Sequence, residues 1–170
     1  VKIRRPLKIS DESGSSVPDG YARWLKTNTM KQKQSNYHTV FLTLEAGDIT
    51  SNQLNALANL IREFSSEGKA RSGFVQNVAL RYVHEDDLVK LYSKLLETGL
   101  AKSGALTMTT PIGCSGTTSC NLALTNSHRL AKEIQRKFLE LKLDEDDDLT
   151  DSSIKISGCP NSCAQHGIAT

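Results

Sequence analysis

The sequence predicts an α+β fold, and three observations carry that prediction. Two stretches, Tyr37 to Glu45 and Asn77 to Val83, alternate in the way of half-buried strands and are rich in β-branched and aromatic residues. Each is followed by apolar residues at helical spacing, and each helical run ends near a glycine. Strand, helix, strand, helix within about 60 residues describes one compact α+β unit.

The elements follow in order. Residues 1–20 hold Ser, Gly, Pro and charge, with turn signals at Gly14-Ser15-Ser16 and Pro18-Asp19-Gly20, and read as a basic lead-in or linker. Val40, Leu42 and Leu44 share one side of the first strand. Thr50 with Gln53 three residues on forms a capping box, in which each side chain satisfies an orphan backbone N–H at a helix start. Leu54, Leu57, Ala58, Ile61 and Phe64 continue that helix, with Gly68 as its C-terminal cap. Glu85, Asp86 and Asp87 put acids at the next helix start, where the dipole favours them. Leu88, Leu91, Tyr92 and Leu95 form its apolar stripe, and Gly99 ends it. Leu106 to Thr110 then reads as a short β-like run. Cys120 leads into a third helix with Leu122, Leu130, Ile134, Phe138 and Leu141 inward. The acidic run Asp144 to Asp148 reads as a solvated loop, and Ser153 to Ser157 as a short strand.

With 170 residues there is room for one ordinary domain or two small ones. Hydrophobic residues at 38% and charged ones at 24% are those of a globular protein. A formal net charge of +2 gives no argument for a nucleic-acid partner. No run of about 18 apolar residues exists, so no membrane span is expected. The basic start Val1-Lys2-Ile3-Arg4-Arg5-Pro6 is not followed by the apolar core of a signal peptide, and a cytoplasmic location is the default expectation. The first residue is not Met and no closing element follows the last strand, so a fragment of a longer protein is expected, with its second unit cut short.

All four cysteines lie in the last third of the chain, which points to a site rather than a disulfide scaffold. They read Cys114-x5-Cys120, then 38 residues, then Cys159-x3-Cys163. Zinc sites pair their ligands more closely, as Cys-x2-Cys or nearly so. A four-iron cubane needs one thiolate at each of four separated irons, and the wider spacings suit it better. Gly113, Gly116, Gly158 and Pro160 supply tight turns, and the neighbouring hydroxyl, amide and backbone groups can donate to sulfur. Structural zinc and metal-free thiols remain open on spacing alone.

Cys114-Ser-Gly-Thr-Thr-Ser-Cys120-Asn121-Leu-Ala123, then Ile156-Ser-Gly158-Cys159-Pro-Asn161-Ser-Cys163-Ala-Gln-His166, closely resembles the signature of siroheme-dependent nitrite and sulfite reductases. Tyr21-Ala-Arg-Trp24-Leu-Lys26-Thr-Asn28, Leu44 to Thr50 and Gln76 to Arg81 resemble that family's ferredoxin-like module in order and spacing.

The resemblance implies a ferredoxin-like half-module over 21–101, followed at 102–170 by the N-terminal part of an α/β siroheme and iron–sulfur module. It implies the second, cysteine-bearing half of the enzyme, truncated. Cys114, Cys120, Cys159 and Cys163 would hold a 4Fe-4S cluster, and Cys163 would also be the axial siroheme ligand, one thiolate bridging both groups. The implied activity is the six-electron reduction of nitrite to ammonia or sulfite to sulfide, with ferredoxin or a similar donor as partner. Gly116 and Asn121 look more like the nitrite-reducing branch. The missing N-terminal half would hold much of the haem cradle and the anion-gripping residues, so the chain alone is expected to be inactive and to bind siroheme weakly or not at all.

Two positions depart from the family pattern. Phe74-Val75 stand before Gln76-Asn77 where a haem-contacting Arg is typical, and Ala164 replaces the Gly that commonly follows the last cysteine. Asn121 and Asn161 are expected to approach the cluster from outside its ligand set. Surface positions are the plainer reading for His128 and His166, and packing for Trp24, set in an extended segment before the first strand. The basic residues among the first forty could steer an acidic ferredoxin, though a solvated segment is the plainer reading. A different class of function, a non-catalytic interaction module stabilised by zinc or a lone cluster, is the alternative.

Overall fold

The computed structural model describes residues 17–149 and 152–169. The reading of 1–20 as a lead-in therefore falls almost entirely outside the described residues, as do Lys2, Arg4, Arg5 and Lys8. The described chain divides into two compact units. The first comprises the residues up to Thr43 and Ile49–Ser103, the second Leu44–Asp48 and the residues from Gly104 onward.

The first unit is α+β. Its elements are α1 (Tyr21–Asn28), β1 (Thr29–Lys31), β2 (Tyr37–Leu42), α2 (Ser51–Phe64), β3 (Ala70–Ser72), β4 (Val78–His84) and α3 (Leu88–Thr98). The strands form one antiparallel sheet in the order β1-β2-β4-β3. Val40, Leu42, Leu80 and Val83 bury their side chains with Leu57, Leu60 and Phe64 of α2 and Leu88, Leu91 and Leu95 of α3. Burial of such side chains is worth about 1.5–3 kcal/mol each and is the main force closing the unit.

Several local expectations hold for the physical reasons given. Thr50 caps α2 and Gln53 reaches back to the Thr50 N–H at 3.1 Å, completing the capping box. Gly99 ends α3 in the left-handed region at φ 69°. Four expectations are corrected. The segment holding Trp24 and Lys26 is not extended but is helix α1, because Tyr21, Trp24 and Asn28 fall on one helical face. There the Trp24 ring packs against Tyr21 and Tyr92 at centroid distances of 5.9 and 5.0 Å. Leu54 is exposed while Leu60 is buried, so the inward stripe of α2 is rotated from the expected one. Helix α2 ends at Ser65, whose N–H donates to the Ile61 carbonyl, and Gly68 turns the chain three residues later at φ 63°. In β4 the alternation breaks. His38 pairs with Val83 but Val40 pairs with Leu80, so β4 holds one extra residue, and Tyr82 takes φ 55°. This bulge lets Leu80 and Val83, three apart, both point inward.

Asn28 ties the end of this sheet to the segment after α3. Its fully buried amide donates to the Phe41 and Lys102 carbonyls, each at 2.9 Å.

The second unit contains β5 (Ile112–Gly113), α4 (Ser127–Glu140) and β6 (Lys155–Ile156), with β5 and β6 paired in parallel. A parallel pair needs a crossover, and α4 lies between the two strands in sequence, as in a βαβ unit. The β-like run expected at Leu106 to Thr110 is instead a hydroxyl-bonded turn. Thr107 and Thr110 donate to the Gly104 carbonyl at 3.1 and 3.0 Å, and Thr107 and Thr109 share a hydrogen bond of 2.7 Å. These short side chains offer the backbone a local alternative to a ladder. The third helix starts at Asn126, whose side chain accepts from the Arg129 N–H, not at Cys120. Its buried residues are Ser127, Ala131 and Gln135, whereas Leu122, Leu130 and Leu141 are exposed. The reason is close approach: a Cβ on Gly113 would sit 2.9 Å from Ala131 Cβ and 3.0 Å from the Ser127 carbonyl oxygen. Only small side chains fit between helix and turn, so α4 turns its small-residue face inward. The acidic run is an exposed pair of turns around Asp147 and Asp148.

Candidate metal centre

The two cysteine-bearing loops begin at the same end of the β5–β6 pair. Strand β5 runs into Cys114, and β6 runs through Ser157 into Gly158-Cys159. The Cys114 N–H donates to the Ile156 carbonyl at 3.1 Å, extending the pairing. The Gly158 carbonyl then accepts from the N–H groups of Leu124 and Thr125, at 2.8 and 3.2 Å. Loop 114–126 and turn 157–163 are thereby stitched together at the carboxyl end of the parallel strands, where open α/β sheets usually place their ligands.

The sulfur of Cys114 is the best-defined part of the site. The Gly158 N–H donates to Sγ at 3.1 Å, and the Ser127 hydroxyl lies 3.0 Å from it. Burial pushes this thiol up, but the hydrogen bonds from Ser127, Gly158 and Gly116 more than offset it, and the net direction is down. The shift is toward the thiolate, the form in which a cysteine ligates metal.

The remaining cysteines are free thiols like Cys114. Cys120 and Cys159 are half-buried and Cys163 is exposed. Tight turns shape their loops. The Cys120 N–H donates to the Gly116 carbonyl at 3.0 Å, and left-handed backbone falls on Ser162 and Gln165. Ala164 is not left-handed. It is buried, and its N–H meets Ser157 Oγ at 3.3 Å, so the methyl group is accommodated.

Among the described residues, no group of three or more His, Cys, Asp or Glu side chains is arranged to hold a single metal ion. A cubane differs in its demand: it asks for four thiolates at four separate corners rather than convergence on one point. Four free cysteines on two loops are the kind of donor set that such a cluster asks for. This set comprises cysteines outside any disulfide, on two loops joined backbone to backbone, one sulfur already facing N–H and O–H groups.

Asn121 and Asn161 are exposed on these loops. His166 is exposed, with Nδ1 3.1 Å from Ser162 Oγ. His128 is not simply on the surface. It is half-buried, and Nε2 lies 3.2 Å from the Asp48 carboxylate, which also accepts from Lys132 Nζ at 2.6 Å. The Lys132 hydrogen bond is the main cause holding the Asp48 carboxyl below its usual range, with burial opposing and His128 reinforcing. This contact fastens the turn 44–48 to α4, and sequence reasoning missed it. Ser127 was missed as well. Its signal was the i, i+4, i+8 spacing Ser127, Ala131, Gln135, a buried stripe that opens with two small residues and competes with the leucine stripe beside it.

In the first unit, Phe74 is 91% exposed at the tip between β3 and β4, while Asn77 behind it is buried and its carbonyl accepts from the Gly73 N–H at 3.0 Å.

An antiparallel α+β unit is followed in sequence by a cysteine-bearing βαβ unit. Residues 30–98 match the family model described as the nitrite/sulfite reductase ferredoxin-like half domain. The ferredoxin–nitrite reductase of Synechococcus elongatus is 31% identical over 138 residues, covering 81% of this chain and 26% of that protein. A sulfite reductase (ferredoxin) of Mycolicibacterium paratuberculosis is 26% identical over 128 residues, covering 73% of this chain and 22% of that one. The chain belongs to the nitrite/sulfite reductase family. It spans about a quarter of the length of these curated relatives. The fold is also that of two solved structures, each 21% identical. Dissimilatory sulfite reductase I matches with a TM-score of 0.56 over 75% of this chain and 30% of its own. The Mycobacterium tuberculosis NirA protein matches with 0.58 over 82% and 25%.

Proposed function

We propose that this chain is the cluster-bearing part of a nitrite or sulfite reductase. In this reading residues 21–101 are its ferredoxin-like half-module and residues 102–170 the first part of its siroheme and iron–sulfur module. Cys114, Cys120, Cys159 and Cys163 hold a 4Fe-4S cluster, and Cys163, the most exposed of them, also ligates siroheme. The observation that carries the reading is the stitching of the two cysteine loops at one end of β5 and β6, with Gly158 and Ser127 turned to the sulfur of Cys114.

When bound, cluster and siroheme together supply one-electron transfer to an anion held at the haem. The residues of this chain do the supporting work. Four thiolates carry negative charge into the site, and the Gly158 N–H and Ser127 hydroxyl offset part of it at Cys114. The buried backbone of Gly113, Gly116 and Gly158 leaves no side-chain volume between the loops and α4. Substrate, donor and anion-gripping residues belong to the larger protein. The relatives' names point to nitrite or sulfite as substrate and ferredoxin as donor.

The test is substitution of each cysteine to serine in protein purified without oxygen. Each change is expected to remove or strongly reduce the brown absorbance of the cluster. Retention of full absorbance after any one of the four would contradict its assignment as a ligand.

A further inference from the structure

We propose that Ser127 is a positioning residue that sets the reduction potential of the cluster through the sulfur of Cys114. The inference rests on the cluster reading above and goes beyond it, because Ser127 lies outside the cysteine motifs.

Ser127 opens helix α4 and is 1% exposed, so its hydroxyl has no water to bond with. Among the described residues it has two partners, both on Cys114: the carbonyl oxygen at 3.0 Å and Sγ at 3.0 Å. A hydroxyl carries a single proton. With a protonated thiol, the sulfur can donate to Oγ while Oγ donates to the carbonyl. A ligating cysteine is a thiolate and has no proton to give. The Ser127 hydroxyl is then the only donor of the pair, and a charge-assisted bond to sulfur is stronger than one to a neutral carbonyl. Gly158 N–H approaches the same sulfur at 3.1 Å, so the Ser127 hydroxyl adds to backbone donation already aimed there.

The surroundings hold that geometry. A Cβ on Gly116 would lie 2.6 Å from Ser127 Oγ, and one on Gly158 would lie 3.1 Å from it. The hydroxyl is thus enclosed by backbone on two sides, where no larger side chain fits. Its position is fixed by packing rather than by a rotamer choice open to solvent. Donors to cluster sulfur stabilise the more negative, reduced state and raise the potential.

A purely structural role for Ser127, bonding the Cys114 carbonyl to the start of α4, makes a different forecast, and two variants separate them. Ser127→Ala removes the donor with almost no change in volume. Asn126→Ala removes the helix cap beside it, where the side chain accepts from the Arg129 N–H, without touching sulfur. Both are measured by redox titration of the cluster signal in electron paramagnetic resonance, with thermal unfolding alongside.

Ser127→Ala is expected to lower the reduction equilibrium constant by up to about tenfold, about 59 mV for a one-electron couple. Asn126→Ala is expected to lower the melting temperature and leave the potential where it was. Exchangeable-proton couplings of the reduced cluster give a second readout: the variant should lose one that the unaltered chain shows in deuterium exchange. An unchanged potential and unchanged couplings in Ser127→Ala, or an equal shift in Asn126→Ala, would overturn the proposal. A chain that takes up no iron at all would instead overturn the cluster reading beneath it.

Discussion

Gly116→Ala tests the packing of the cysteine loops most sharply. Gly116 has φ 55°, and a Cβ there would meet Ser127 Oγ, Ser127 N and the Thr125 carbonyl oxygen at 2.6, 2.7 and 2.7 Å. Two of these are backbone atoms and cannot turn aside. Left-handed backbone on an L-residue costs about 1–2 kcal/mol. Overpacking a closed site adds about 1–3 kcal/mol. The sum, about 2–5 kcal/mol, is a large share of the roughly 5–15 kcal/mol that holds a domain folded. Gly68→Ala is the matched control, since φ is 63° and nothing lies within 4 Å of the added methyl. It should lose only the left-handed cost. Urea unfolding followed by circular dichroism gives both midpoints, and an anaerobic iron assay on the same samples gives cluster loading. Gly116→Ala is expected to be the more destabilised by about 1–3 kcal/mol and to load much less iron. Equal losses in the two variants, with full iron in both, would refute the argument from close approach.

Two further outcomes follow from the first unit. Asn28→Ala removes the buried amide that donates to the Phe41 and Lys102 carbonyls and should cost about 1–3 kcal/mol in urea unfolding, from about 0.5–1.5 kcal/mol for each hydrogen bond lost; a loss below about 0.5 kcal/mol would contradict the role given to it. Burial, then the charge of Lys31, hold the His38 pKa below its ordinary value against the opposing pull of Glu85, and its Nδ1 has no hydrogen-bond partner. The unfolded chain then takes up that proton first, so the His38 contribution to stability is full above about pH 6.5 and is lost as pH falls toward the folded value. His38→Gln should flatten that part of the stability profile between about pH 7 and 5; an unchanged profile would contradict it.

The first unit was legible where local chemistry acts alone. The capping box at Thr50 and Gln53, the stripe of α3 and its glycine end needed nothing beyond neighbours in sequence. Helix α1 was passed over although Tyr21, Trp24 and Asn28 stand at helical spacing, because what that face buries against is tertiary: Trp24 packs on Tyr92, a residue far along the chain. The bulge in β4 was hidden for a related reason. Val78, Leu80 and Tyr82 alternate cleanly, and only the pairing with β2 reveals the extra residue. In the second unit the cysteines and their glycines stood out by spacing, and the loops that carry them are joined backbone to backbone. The helix between them was misjudged. Leucines at helical spacing outweighed Ser127 and Ala131, yet the closeness of Gly113 and Gly116 demands small residues on the inner face. The same oversight hid Ser127 at the sulfur of Cys114.

The most direct measurement is the iron, acid-labile sulfide and zinc content of protein purified without oxygen, together with its visible spectrum. About four irons and four sulfides per chain and a brown spectrum are expected, as a cubane on four thiolates requires. One zinc with no iron and no visible absorbance would contradict it and leave a zinc-stabilised interaction module in its place.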